Sequence, residues 1–420
     1  MFLAFASVAP GLAGDFAISA YTRAGDISWT NAFAPGVGTV EFAPSPAGPW
    51  TPGRSFFTTN TASQTHVALS SVDRYYRLFA ADISTNAPEA FDNLANAYGI
   101  IETIAGKGEF RIDGSNNWSP EFEGGPATNA NLSRPHFAMA DAAGNVFIAD
   151  KDSHSILKVT PDGTIHTAAG THVGGFNGNG PAVGTSLQLN QPNGEWVRSD
   201  GVVYILDTGN SKVRRLDTNQ TLTTMFTVSG GIDVGRGLWV KDDESLVYFA
   251  SGTVLKKWTP ALGVKTVNSS FVELGNLVVD SAGQLVATDR GANLVYRIST
   301  NGSRTVIAGN GDVSGGGDGF PALQTALAGV RGVWFLPNAG YLLATHEGSQ
   351  VWYVDPAGIV HLFVDGYTGN VHSGDGEFFR SPGLKVAEVR SVTSDAQGNV
   401  WITESDYGYV RRIRFQRMQP

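Results

Sequence analysis

Eleven polar side chains recur at two fixed places in a repeated pattern, and they are where chemistry could be done. Just before an apolar strand core stand His136, Asn193, Arg236, Asn276, Arg331 and Arg390. One strand later, at its end, stand Asp150, Asp207, Asp289, His346 and Glu404, with Ser251 in the remaining copy. Arginine presents a planar fork of donors that suits carboxylate, sulfate or phosphate. Three arginines at equivalent places could therefore hold one anionic group at a shared opening. The same arginines could instead pair with these acids, or with Glu273 and Glu388, and tie neighbouring copies together. Each acid also lies at a turn, where Asp commonly bonds nearby backbone amides.

Catalytic signatures are mostly missing. The chain has no HExxH, no GxSxG and no cysteine. Of its eight histidines, His136, His346, His154, His172 and His372 could meet near one face. A His-rich metal centre would need a third ligand beyond His136 and His346, and the sequence names none. Asn193, Asn276 and Glu404 would suit a Ca²⁺ centre of carboxylate and amide oxygens, although no EF-hand loop is present. No cofactor is fixed by these residues; Ca²⁺ stays open, and a bound Ca²⁺ or Zn²⁺ would point to catalysis rather than plain binding.

The elements that must position these groups are short strands. Residues 132–170 read as four of them: 137–141, 146–149, 155–160 and 165–169. Turns such as Ala143-Gly144-Asn145 and Pro161-Asp162-Gly163 separate them. Alternating and β-branched apolar residues between the turns fit strands with covered faces. A four-stranded meander cannot bury both faces alone and needs copies of itself. The copies follow at 189–228, 231–268 (worn), 273–309, 327–366 and 388–415. The last has three strands. Residues 98–106, YGIIETIAG, match the fourth-strand pattern TVIAG of 305–309, so the strand missing at one end is supplied from the other. Such closure leaves no open edge between first and last copies.

The phrases GNVFIADKDSHSILKVTPDG, GVVYILDTGNSKVRRLD and GNVWITESDYGYVRRI resemble the NHL-repeat family of six-bladed β-propellers. The resemblance covers residues 98–418 and implies an all-β, six-bladed propeller. That family includes secreted binding proteins, protein-interaction platforms and a few lyases and lactonases, and fold alone does not choose among them. In a propeller, strand one of each blade lines the central channel. The six residues before the strand-one cores would then form a cationic inner ring, with the strand-two ends an acidic second ring. The implied role is non-catalytic binding of a protein or glycan ligand. The alternative is a metal-assisted lyase or lactonase with its site at the channel mouth.

Residues 15–84 read as a separate unit, with strands expected at 16–21, 26–30, 38–43, 55–59, 66–69 and 74–81. ISWTN at 27–31 and YYRLFAADI at 75–83 resemble fibronectin type III modules, which implies an immunoglobulin-like β-sandwich. Residues 85–97 read as a linker or short helical turn, and the two units are expected to fold independently. Residues 1–14 are apolar and end in small residues, as the tail of a secretory signal does. An extracellular or periplasmic monomer is expected.

Composition agrees with a turn-dense β-protein. The 420 residues include 52 Gly and 16% charged residues, against about 25% charged in typical domains. Net charge is −9 and no Lys/Arg run occurs, so nothing supports nucleic-acid binding. The absence of cysteine excludes disulfides and thiol chemistry. No stretch reaches the ~20 apolar residues of a membrane span. Three long connections share a Pro-Ala pattern, at 124–132, 178–187 and 318–327, and are expected to be structural turns rather than ligand loops.

Overall fold

A computed structural model describes residues 5–8, 17–22, 24–30, 33–66, 75–108, 114–366 and 372–418. It is an all-β, propeller-like protein. Among the described residues, six antiparallel sheets follow one another along the chain. Sheet I holds Pro135–Ala140, Val146–Asp150, Ser155–Val159 and Ile165–Gly170. Sheet II begins at Pro192–Val197, sheet III at Leu238–Val240, sheet IV at Leu274–Val279 and sheet V at Val330–Phe335. Sheet VI holds Val389–Ser394, Val400–Glu404 and Tyr409–Ile413, and its outer strand is Ile101–Ala105 from the far end of the chain. Ile413 pairs with Ile101 and Val410 with Ala105. The expected closure is therefore present in the strand ladder.

The first strand of each sheet packs on the first strand of the next, and the sixth returns to the first. A closed ring results. Apolar clusters fill the spaces between neighbours: Phe137, Ala149 and Ile205 between sheets I and II, and Ala105, Ile148 and Trp401 between VI and I. Because both faces of each sheet are covered, second strands such as Val146–Asp150 and Val203–Asp207 are buried at every residue. This explains runs such as VFIA and VYIL, where a half-exposed strand would alternate. At the far end of the first strands, Trp196 meets Trp239 and Trp334, with ring centroids 6.2 and 5.7 Å apart.

The Pro-Ala connections cover outer sheet edges. Gly124 N–H donates to Ile165 O and Ile165 N–H to Gly125 O, at 2.8 and 2.9 Å. Gly319 and Phe320 pair with Val360 in the same way, and Ala182–Val183 forms a fifth strand on sheet II. Edge backbone groups that would otherwise invite another chain are thus occupied.

The N-terminal residues form two further sheets, one of Phe5–Val8, Tyr75–Asp82, Gly36–Ala43 and Thr51–Thr58, the other of Ala17–Tyr21, Asp26–Thr30 and Ser63–His66. Ile27 and Trp29 of one pack on Val40, Leu78 and Ala80 of the other. Phe5–Val8, inside the stretch read as a signal tail, pairs in parallel with Arg77–Ala80; residues 1–4 and 9–14 of that stretch lie outside the described residues. So do Phe16, residues 67–69 and Arg74 of the expected strands. The connection at 85–97 contains the helix Ala90–Ala95. It does not separate two cores. Val37, Ala81 and Ile83 share one buried cluster with Leu94, Tyr98, Phe363 and Phe415. Phe57 stacks on Phe415 at 4.8 Å, and Ser55 N–H donates to Phe415 O at 2.9 Å. The apolar residues around the connection, Ile83, Leu94 and Tyr98, are what make the core continuous.

Candidate functional site

The six residues before the strand-one cores converge because of a shared backbone irregularity. In sheet I, Phe137 pairs with Ala149 and Pro135 with Asp150, so His136 is skipped. Asn193, Arg331 and Arg390 are skipped in the same way in sheets II, V and VI, and Asn276 lies within a longer skip in sheet IV. A β-bulge of this kind re-aims the extra side chain. Here it turns these side chains towards neighbouring sheets around the ring. Arg236 stands two residues before its short strand, Leu238–Val240. Gly194 makes room for it: a Cβ there would lie 2.0 Å from the Arg236 carbonyl oxygen.

The inner ring divides into two parts. One part is glue. Arg390 Nη1 donates to His136 Nε2 at 2.8 Å, His136 Nδ1 bonds Asn193 Oδ1, and Asn193 Nδ2 donates to Gly235 O at 2.7 Å. Arg390 also binds Glu388 and, at 3.0 Å, Asp406. This chain crosses from sheet VI through I and II to III. Since His136 Nε2 accepts from a guanidinium, its proton is on Nδ1. Burial, then the charge of Arg390, pushes its pKa well below the ordinary histidine value, so the ring is neutral. Asn276 is also spent locally: its Oδ1 accepts from Leu277 N–H at 2.8 Å and its Nδ2 reaches Val333 O at 3.4 Å.

The other part is unspent. Arg331 is 4% exposed, and among the described residues no acceptor meets its Nε or Nη1. Burial, then the charges of Arg236, Arg390 and Arg290, pushes its pKa down to about 7. A guanidinium rarely gives up its proton, so an oxyanion is the natural relief for this buried charge. Arg236 is intermediate. Its Nη1 lies 3.6 Å from Glu273 Oε1, its Nε has no partner among the described residues, and burial takes its pKa down to about 10. Glu273 is shared with Arg290, which also reaches Glu347 at 3.1 Å.

In the second ring the turn-side role of the acids prevails. Asp150 is fully buried and accepts from Ser133 and Arg134 N–H at 2.9 and 2.6 Å. Asp289 does the same for Val272 and Glu273 N–H, and Asp207 for Asn190 N–H. Glu404 accepts from Ala387 N–H, 2.9 Å, and from His372 Nδ1, 3.2 Å. These four carboxylates fasten the incoming connection to its own sheet and do not ring the mouth. Burial raises Asp150 and Asp207 to about 6. Buried Arg214 and Arg411, on third strands, add ion pairs to Asp207 and Glu404 and bond the carbonyls of Gly178 and of Ser373 and Lys385.

His346 alone of the second ring serves the mouth. Its Nε2 lies 2.5 Å from Glu388 Oε1, while its Nδ1 is buried without a partner among the described residues. Burial opposes ionisation of Glu388, but the bond from His346 and the charge of Arg390 bring its pKa down to about 2. Burial pushes His346 below its ordinary value. Arg134, Arg290, Glu347 and Asp406 also belong to this region. Their signal was positional: Arg290, Glu347 and Asp406 stand one or two places after the strand-two ends.

Metal donors fit less well. Ligand atoms of His346, Glu388 and Asp406 lie within 4.8 Å of one another. Both carboxylates already accept from Arg390, and the His346 nitrogen that faces Glu388 is the protonated one. A dication there would also face Arg331. Asn193, Asn276 and Glu404, the expected Ca²⁺ set, point their oxygens at separate partners and do not meet.

No protein-family model matches the chain, and no curated protein matches it. Solved structures do. A Bacteroides thetaiotaomicron protein of unknown function matches with TM-score 0.60 at 12% identity, over 96% of this chain and 98% of its own. An auxiliary nutrient binding protein from the same organism matches with TM-score 0.57 at 11% identity, over 96% and 98%. One from Bacteroides ovatus matches with TM-score 0.55 at 13% identity, over 92% and 93%. At these identities the likeness shows the fold alone. It spans the N-terminal sheets as well as the ring.

Proposed function

We propose that the chain is an exported, non-catalytic binding protein. In this reading a fibronectin type III-like sandwich precedes a six-bladed, NHL-like propeller whose channel mouth holds an anionic group of a glycan or protein ligand. The observation that carries it is Arg331, a buried guanidinium among three other arginines whose Nε and Nη1 meet no acceptor among the described residues. Leaving such a charge unpaired costs stability, and a site built for an anion is a sufficient reason to keep it. Two fold neighbours are called auxiliary nutrient binding proteins, which supports binding and export. Among the described residues no helix is long and apolar enough to cross a membrane. The second reading, a metal-assisted lyase or lactonase, rests on the cluster of His346, Glu388 and Asp406; the guanidinium of Arg390 on both carboxylates weighs against it. The test is titration calorimetry against uronic-acid and sulfated glycans, with the parent and Arg331→Met. A charged bidentate contact is worth roughly 1.5–3 kcal/mol, so the variant should bind at least about tenfold more weakly. An anionic ligand held equally well by both proteins, or none held by the parent, would remove the proposal.

A further inference from the structure

We infer that the group seated in the mouth is a hydroxycarboxylate, of which a uronic acid is the sugar form, with its carboxylate on Arg331 and a nearby hydroxyl donating to Nδ1 of His346. This rests on the anion-binding reading above and narrows it.

Two unspent groups of opposite hydrogen-bonding sense carry the inference. Arg331 can only donate, and its Nε and Nη1 have no acceptor among the described residues. His346 presents the reverse. Glu388 is held ionised and can only accept, so the proton of the neutral His346 ring is on Nε2, 2.5 Å from Glu388 Oε1. Nδ1 is therefore a bare lone pair, and it is buried with no donor among the described residues. Buried polar atoms without partners are uncommon in folded proteins and call for an explanation.

The two groups are neighbours by construction. Arg331 and His346 stand on either side of the antiparallel pair Val330–Thr345, and the charge of Arg331 acts on the His346 ring. The mouth thus sets a donor-only cation beside an acceptor-only nitrogen. The complement is an anion with an O–H donor close by. In a uronic acid a ring hydroxyl stands one carbon from the carbon that bears the carboxylate, so one small group satisfies both. A carboxylate leaves the hydroxyl as donor and presents two oxygens in the plane that a guanidinium prefers. A sulfate ester would bring three terminal oxygens to a site where Arg390 is already engaged by Glu388, Asp406 and His136 and Arg236 leans on Glu273.

The experiment is calorimetric titration of the full chain with four probes: D-glucuronate, cyclohexanecarboxylate, glucose 6-sulfate and D-glucose. The parent should bind glucuronate, cyclohexanecarboxylate about tenfold more weakly, and glucose not measurably; a tenfold difference is the size of one good hydrogen bond. His346→Gln keeps an amide N–H for Glu388 but lacks the Nδ1 acceptor. It should lose about tenfold for glucuronate and leave cyclohexanecarboxylate unchanged. Arg331→Met should lose both. If the parent holds cyclohexanecarboxylate as tightly as glucuronate, or prefers glucose 6-sulfate, while Arg331→Met loses that binding, the anion site stands and the hydroxycarboxylate assignment falls. If no probe anion binds the parent, both fall. The comparison among probes on the parent decides the matter even if a variant does not fold.

Discussion

Replacing Arg331 by Met should make the ligand-free protein more stable. Most substitutions destabilise, and an arginine that cemented the ring would certainly be missed. Among the described residues Arg331 forms no close ion pair, and its charge sits in a site only 4% exposed, where the like charges of Arg236, Arg390 and Arg290 outweigh the more distant Glu388. An uncompensated buried charge costs on the order of 3–5 kcal/mol, and apolar replacement of buried charged groups recovers about 1–4 kcal/mol. Methionine fills most of the same path without charge. For a chain of this size 1 kcal/mol moves the melting temperature by roughly 2 °C, so a rise of about 2–8 °C is expected. Differential scanning calorimetry at pH 7.5, in buffer free of phosphate, sulfate and carboxylates, measures it. Such anions must be absent because a bound ligand would stabilise the parent by mass action. Arg390→Met is the control. It strips Glu388, Asp406 and His136 of a shared donor and should cost about 3–5 kcal/mol. If Arg331→Met melts several degrees below the parent, as Arg390→Met should, then Arg331 is glue and the argument for an anion site is wrong.

Gly194→Ala should cost more than 2 kcal/mol, since its Cβ would lie 2.0 Å from a backbone oxygen, that of Arg236, and backbone must shift to admit it; a melting temperature within 1 °C of the parent, roughly 0.5 kcal/mol here, would show that the strands are not so close. A chain beginning at residue 96 should melt lower and aggregate more readily than the whole. It strips Val37, Ala81 and Ile83 from the cluster around Tyr98 and Phe415; equal melting temperatures would restore the expectation of two independent units. His136 and His346 should stay neutral as pH falls through 6.5, because burial lowers both. The unfolded chain takes up those protons first, so the contribution of each to stability falls with pH below about 6.5. Imidazole resonances of His136 that titrate at or above that value would contradict the buried, neutral ring.

Much of the architecture was legible in the residues, and the reason is local. Gly and Asp-Gly turns, β-branched strands and the repeated spacing fix each meander within some 40 residues, and the match of TIAG to TVIAG gave away the closing strand. The Pro-Ala connections are legible as turns for the same reason: their bonds run to the outer strand of the adjacent sheet. The repeat also puts the residues before the strand-one cores at equivalent positions, most of them at the same bulge. What each residue does there was not legible. Arg331 and Arg390 hold equivalent positions, yet among the described residues the first has no acceptor at Nε or Nη1 while the second is bound by Glu388, Asp406 and His136, the last 254 residues away. The four second-strand acids could not be told from ligands by type, because whether a carboxylate faces a channel or a backbone amide depends on the bulge beside it. Partners across a closed ring are chosen by which sheets become neighbours. That also decided the N-terminal unit, whose core joins the ring through Ile83 and Tyr98 although a polar segment lies between them in the chain. Repetition and turn chemistry act over tens of residues and can be read along the chain; charge pairing and burial are settled only where distant segments meet.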